Sequence, residues 1–129
     1  KIAMWGLSFK PNTDDIRASA AIDIIEELTR SGMHVRAYDP AAADPARELF
    51  IGNERVSFHA SQYDILPEAD ALAVVTDWNQ FRNPDFGKIK ATLRAPVIFD
   101  GRNLYAAKNL SDLGFSYFCI GRSNPAIIL

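Results

Sequence analysis

Side chains able to do chemistry gather where short apolar runs of this sequence end. Ile2-Ala3-Met4-Trp5 is followed by Gly6-Leu7-Ser8-Phe9-Lys10-Pro11-Asn12-Thr13-Asp14-Asp15-Ile16-Arg17, so Lys10 and Arg17 bring two cations to one loop. An ammonium and a guanidinium together suit an anionic ligand, phosphate first of all. Val97-Ile98-Phe99 leads to a second charged turn, Asp100-Gly101-Arg102-Asn103, where Gly101 would permit a tight bend and Arg102 could grip phosphate or ribose through its planar fork. The alternative for each arginine is an ion pair with a nearby acid: Asp14 or Asp15 for Arg17, Asp100 for Arg102.

Other candidates carry less. A self-sufficient NAD site needs closely spaced glycines in the first turn, so that backbone and helix N-terminus approach a pyrophosphate. Here Gly6 stands alone among Leu7, Phe9 and Pro11. Asp39 closes the second apolar run where a ribose-binding acid would sit, and reads first as a turn residue before Pro40. Cys119 lies in the last apolar run and reads as structural, while His34 and His59 lack the partners and spacing of a metal site.

These residues need a scaffold that puts all the loops on one side. Ile2 to Trp5 reads as a buried strand. A helix follows, capped near Ser19 and stopped by Gly32, with Ala21, Ile22, Ile24, Ile25 and Leu28 on one side and Asp23, Glu26, Glu27 and Arg30 on the other. His34 to Tyr38 is a second strand. Ala41 to Phe50 is helical in propensity, with Pro45 in its first turn, and Val56 to Phe58 is a third strand. Ser61 to Leu66 is a brief helix or turn. Ala71 to Val75 is apolar throughout, as expected of a central strand covered on both faces. Asn83-Pro84-Asp85 starts a helix backed by Phe86, Ile89 and Leu93; Val97 to Phe99 is the fifth strand. A helix over Ala106 to Leu113 and a strand over Phe115 to Ile120 complete the alternation. The expected fold is therefore a single doubly wound, Rossmann-like α/β domain of three layers, with a parallel six-stranded sheet ordered 3-2-1-4-5-6. In such a sheet the loops after the strands share the carboxyl edge, where ligands bind. Thr76 and Trp78 leave the fourth strand there and read as supporting residues; Tyr105, Phe115, Tyr117 and Phe118 read as core or interdomain surface.

Composition narrows the function. A net charge of −2 and 48% hydrophobic residues, with a mean hydropathy of −0.08, suit a globular domain whose anion site is local, and give no general attraction for nucleic acid. No apolar run approaches the roughly 18 residues that span a bilayer. A single cysteine forms no internal disulfide, in keeping with a cytoplasmic setting. A chain that starts at Lys1, directly before its first strand, reads as a piece of something longer.

The blocks Gly6 to Arg17, Tyr38-Asp39-Pro40, Thr76-Asp77-Trp78, Asp100-Gly101-Arg102-Asn103 and Gly114 to Arg122 occur in an order that resembles the carboxyl-terminal, UDP-binding domain of the UDP-glucose/GDP-mannose dehydrogenase family, most closely its UDP-glucose 6-dehydrogenase branch. The resemblance covers nearly the whole chain. It implies that Phe9 and Lys10 meet a UDP-sugar, that Arg102 meets the nucleotide part, and that Arg17 faces the phosphates of NAD held by a neighbouring domain. It also implies a parent enzyme with amino-terminal NAD-binding and central domains, dimeric through the central part, that oxidises UDP-glucose to UDP-glucuronate with two NAD. The catalytic cysteine of that family belongs to the central region, so Cys119 is not its counterpart. The isolated domain is then expected to be inactive. Two sister substrates, UDP-N-acetylmannosamine and GDP-mannose, remain open. A phospho-receiver, the alternative from another class, fails on placement, because the third strand ends in Phe58-His59 and the fifth in Asp100; a purely structural dimerisation module stays open for the isolated domain.

Overall fold

The computed structural model describes residues 1–119. Within them lies one six-stranded, all-parallel sheet: β1 (Ile2–Trp5), β2 (Val35–Tyr38), β3 (Val56–Phe58), β4 (Ala71–Val74), β5 (Val97–Asp100) and β6 (Ser116–Cys119). The order across the sheet is β3-β2-β1-β4-β5-β6, as expected. Pairing is in simple register, with Met4 beside Ala37 on one side and Ala73 on the other. Four helices connect the strands: α1 (Ala20–Arg30), α2 (Ala43–Leu49), α3 (Phe86–Thr92) and α4 (Ala107–Asp112). The expected sixth strand reached Ile120, and the last matched block reached Arg122; those residues lie outside the described ones.

Local signals account for the helix boundaries. Ser19 caps α1 by accepting from the Ala21 amide at 3.2 Å, and Gly32 follows the helix in a left-handed conformation. Asp85 caps α3 by accepting from the Lys88 amide at 3.0 Å. Pro45 sits in the first turn of α2, where its missing N–H costs nothing.

Strand alternation divides the core in two. Met4, Val35 and Ala37 face α1 and α2, packing with Ala21, Ile22, Ile25 and Ala46. Ala3, Trp5, Leu72, Val74 and Ile98 face the other way, against Ile89 of α3 and Leu110 of α4. Each such buried Leu or Ile contributes about 1.5–3 kcal/mol. Trp5 anchors the second cluster: its ring stacks on Phe81 at 5.2 Å and its N–H donates to the Gln62 carbonyl at 2.7 Å.

Two expectations about burial are corrected. β1, not β4, is the strand buried at every position. On the α1 side of the sheet, Ala73 and Phe99 border an open apolar groove of about 400 Å3, walled by Ile24, Leu28 and Met33. Phe99 is 43% exposed and stacks on Phe118, with ring centroids 4.8 Å apart. Ile24, expected on the buried side of α1, lines this groove half-exposed, and Thr29 takes the fully buried place. β1 and β4 are both central in the order, but on the α1 side the groove opens beside Ala73 of β4 and leaves that residue partly exposed. Among the described residues, no helix is long and apolar enough to cross a membrane.

Candidate functional site

The loops after β1, β2, β4 and β5 converge on the carboxyl edge of the sheet. Gly6 begins the first of them with φ +104°, and a Cβ there would lie 2.5 Å from the Thr76 amide nitrogen. Glycine is therefore required twice over, by backbone conformation and by the approach of the β4 exit. Its own amide donates to the Tyr38 carbonyl at 2.8 Å, continuing the β1–β2 ladder.

Beyond Gly6 the loop is pinned by polar contacts. Leu7 and Ser8 are buried, and their amides donate to one oxygen of Asp39, Oδ2, at 2.7 and 3.0 Å. The Trp78 indole N–H donates to the same oxygen at 3.2 Å and to Ser8 Oγ at 3.1 Å. Asp39 Oδ1 accepts from the Ala41 and Ala42 amides, both at 2.8 Å. The Thr76 hydroxyl donates to the Ser8 carbonyl, and Ser19 Oγ donates to the Leu7 carbonyl at 2.7 Å. Asp39 is thus far more than the turn residue suggested by the sequence. A buried carboxylate needs donors around it. The backbone supplies four of them and Trp78 the fifth.

Past this anchor the loop turns outward. Phe9 is 51% exposed, and its amide donates to the Asp15 carbonyl at 2.7 Å. Lys10 is exposed, its carbonyl receiving the Ser8 hydroxyl at 2.8 Å. Arg17, 89% exposed, forms a bidentate pair with Asp15, through Nε at 3.0 Å and Nη2 at 2.8 Å. Hydrogen bonds from the Arg17 side chain and backbone hold the Asp15 carboxyl down at about 2, and the same pair raises the Arg17 guanidinium. The outer edge of that guanidinium still faces solvent.

The second charged turn is organised by Asp100, also buried. Its Oδ1 accepts from the Arg102 amide at 2.9 Å; its Oδ2 accepts from the Leu104 and Tyr105 amides at 2.7 and 3.1 Å, and from the Tyr117 hydroxyl at 2.6 Å. Burial, reinforced by this carboxylate, pushes the Tyr117 phenol well up, so it remains a donor. Because Asp100 is occupied by backbone, the Arg102 side chain pairs elsewhere, with Asp77 Oδ1 at 3.2 Å. That oxygen is sealed from solvent and meets the guanidinium off the hydrogen-bonding angle, while Oδ2 receives Arg82 at 3.5 Å. The bend itself differs from expectation. Asn103, with φ +56°, takes the left-handed position, whereas Gly101 does not.

Lys10, Arg17 and Arg102 therefore all stand on loops of one edge, each exposed, with Phe9 beside them. Thr76 and Trp78 support the loops, as expected. Tyr105, Phe115 and Tyr117 are core, and Phe118 and Cys119 are half-buried. Sequence reasoning missed Asp39 as an anchor and Asp77 as the partner of Arg102. Among the described residues, no three His, Cys, Asp or Glu side chains cluster to hold a metal. Nor do the residues after β1 fit NAD as a dinucleotide-binding turn would: the Leu7 and Ser8 amides and both Asp39 oxygens are already engaged with one another.

Residues 3–107 match the model of the UDP-glucose/GDP-mannose dehydrogenase family, UDP binding domain. A UDP-glucose 6-dehydrogenase of Pseudomonas aeruginosa is 45% identical over 124 residues, which is 94% of this chain and 27% of that protein. The UDP-glucose 6-dehydrogenase TuaD of Bacillus subtilis is 40% identical over 126 residues, 98% of this chain and 26% of that protein. A solved UDP-D-ManNAc dehydrogenase from Pyrococcus horikoshii superposes with a TM-score of 0.74 at 31% identity, over 95% of this chain and 26% of that one. The chain spans about a quarter of the length of these relatives. With a family match over most of its length, and a sheet edge organised around the same blocks, the chain belongs to the UDP-glucose/GDP-mannose dehydrogenase family as its UDP-binding domain.

Proposed function

We propose that this domain forms the UDP-binding wall of a UDP-glucose 6-dehydrogenase, whose complete chain oxidises the sugar C6 alcohol to the carboxylate with two NAD. The observation that carries this reading is the carboxyl edge itself: exposed cations on two loops, each loop fixed by a buried aspartate. A pre-positioned cation binds a diphosphate with less ordering cost than one on a free loop. In this reading Lys10 engages polar groups of the UDP-sugar, Phe9 packs beside it, and Arg102 grips phosphate or ribose after exchanging part of its contact with Asp77. Arg17 turns its free edge to the cofactor phosphates, which the rest of the enzyme holds. NAD supplies the hydride acceptor, and in this reading the nucleophilic cysteine and the NAD site belong to the rest of the complete enzyme. The domain alone is accordingly inactive in oxidation.

Titrating the chain with UDP, GDP and NAD, followed by amide NMR, tests the reading. Expected are shifts at Phe9, Lys10 and Arg102 with UDP, weaker ones with GDP, and loss of about tenfold in UDP affinity in Lys10→Ala and Arg102→Ala. Tight NAD binding, or no response to millimolar UDP, would overturn it. The fold shared with the UDP-D-ManNAc dehydrogenase favours UDP-N-acetylmannosamine as a second substrate reading. Turnover of both UDP-sugars by the complete enzyme separates the two.

A further inference from the structure

We propose that Asp39 is a positioning residue of the nucleotide-sugar site, setting the place of Phe9 and Lys10 through the Leu7 and Ser8 amides that it holds. The proposal rests on the reading that this edge binds UDP, and it adds a residue that touches neither ligand nor reacting atoms. Where a dinucleotide-binding domain would turn the acid closing β2 outward to a ribose, here the acid is turned inward. Its five donors come from three segments: the loop after β1, the turn after β2, and Trp78 after β4. Ser8 carries the restraint onward, because its amide is held by Asp39 while its hydroxyl donates to the Lys10 carbonyl at 2.8 Å. The chain of contacts from Asp39 to the backbone of Lys10 is therefore two hydrogen bonds long. The same carboxylate oxygen receives Trp78, so the β4 exit and the cation-bearing loop share one anchor point. Loops held this way keep a ligand-facing side chain within the tolerance that recognition needs.

Asp39→Asn provides the direct test, since it keeps the shape but turns an NH2 group toward N–H donors and removes the charge. Wild-type chain, Asp39→Asn and a core control, Ile89→Val, are compared for thermal midpoint, for amide shifts of Leu7 and Ser8, and for UDP affinity well below the midpoint. Ile89 is the buried residue of α3 and belongs to the other core cluster, so its truncation lowers the midpoint without reaching this loop. The expected result is that Asp39→Asn shifts the Leu7 and Ser8 amides and weakens UDP on the order of tenfold, while Ile89→Val binds UDP as wild type does. Trp78→Phe, which deletes one donor and keeps a ring, serves where Asp39→Asn does not fold, with an expected loss of about threefold. UDP affinity unchanged in a folded Asp39→Asn, or in Trp78→Phe when that variant stands in, overturns the positioning role and leaves the UDP reading intact. If the wild-type chain itself ignores millimolar UDP, the UDP reading falls and this role falls with it.

Discussion

Asp39 and Asp100 occupy equivalent places, each buried at or just beyond the carboxyl end of a strand on either side of the sheet centre, yet they hold different things. Asp100 serves its own turn: its donors include the Arg102, Leu104 and Tyr105 amides, two to five residues further on, and the Tyr117 hydroxyl. Asp39 accepts from Leu7 and Ser8, 32 and 31 residues away, and from Trp78, 39 residues away, besides its local amides. One carboxylate shapes a loop; the other fastens loops to one another. The same side chain in the same kind of position thus acts locally or globally according to which amides the topology brings within reach. β2 adjoins β1, so its exit meets the long first loop, whereas β5 lies next to β6, whose inward tyrosine completes a closed local set.

This contrast predicts unequal losses. Asp39→Ala orphans buried amides in two separate segments and is expected to cost on the order of 4 kcal/mol by urea unfolding, at the upper end for single substitutions. Asp100→Ala is expected to cost about 3 kcal/mol, because its turn can partly rehydrate and Tyr117 retains the Tyr105 carbonyl at 3.1 Å as an acceptor. Equal costs, or a larger one for Asp100, would remove the distinction.

Tyr117→Phe probes the contact of Asp100 with β6, and a loss of about 1 kcal/mol at neutral pH is expected. It also carries a pH signature. The folded phenol titrates above its unfolded value of 10.0, so its contribution is complete below that pH and is lost as the pH rises beyond it. Alkaline destabilisation should therefore begin near pH 10 and be reduced in the phenylalanine variant, measured as unfolding midpoints against pH.

The smallest effect belongs to the exposed pair at the first loop. Asp15 is held at about 2 by Arg17, below its ordinary 3.8, so the pairing is present above 3.8 and is lost as the pH falls through about 2. Arg17→Ala should return the Asp15 carboxyl toward 3.8 in an NMR titration and leave neutral-pH stability nearly unchanged, because both partners face water. A clear stability loss there would mean that the outer loop is fastened as firmly as the Asp39 anchor.

Periodicity and punctuation made the scaffold legible. Ile22 and Ile25 recur at helical spacing between Ser19 and Gly32, and apolar runs of strand length alternate with helices, so the parallel sheet and its order follow from local patterns and the rules of connection. The charged loops were legible too, since a lysine and arginines placed directly after strands must stand at one edge. What a polar side chain touches is a different kind of fact. Asp39 before Pro40 looks like any turn aspartate until the first loop folds over it, and its donors are mostly backbone amides, which every sequence contains. Arg102 has an acid two residues away, but the backbone of its own turn claims Asp100, and Asp77 from the loop after β4 becomes its partner. Asn103 rather than Gly101 takes the left-handed bend because Asp100 fixes the amides on either side of it. The exposure of Phe99 depends on how far α1 reaches across the sheet. Sequence alone determined the elements, their order and the edge that bears the cations, because hydrophobic spacing and turn chemistry act over a few residues. Tertiary structure decided which carboxylate anchors, which pairs and which only turns the chain, because those choices depend on donors brought together from 31 or more residues apart.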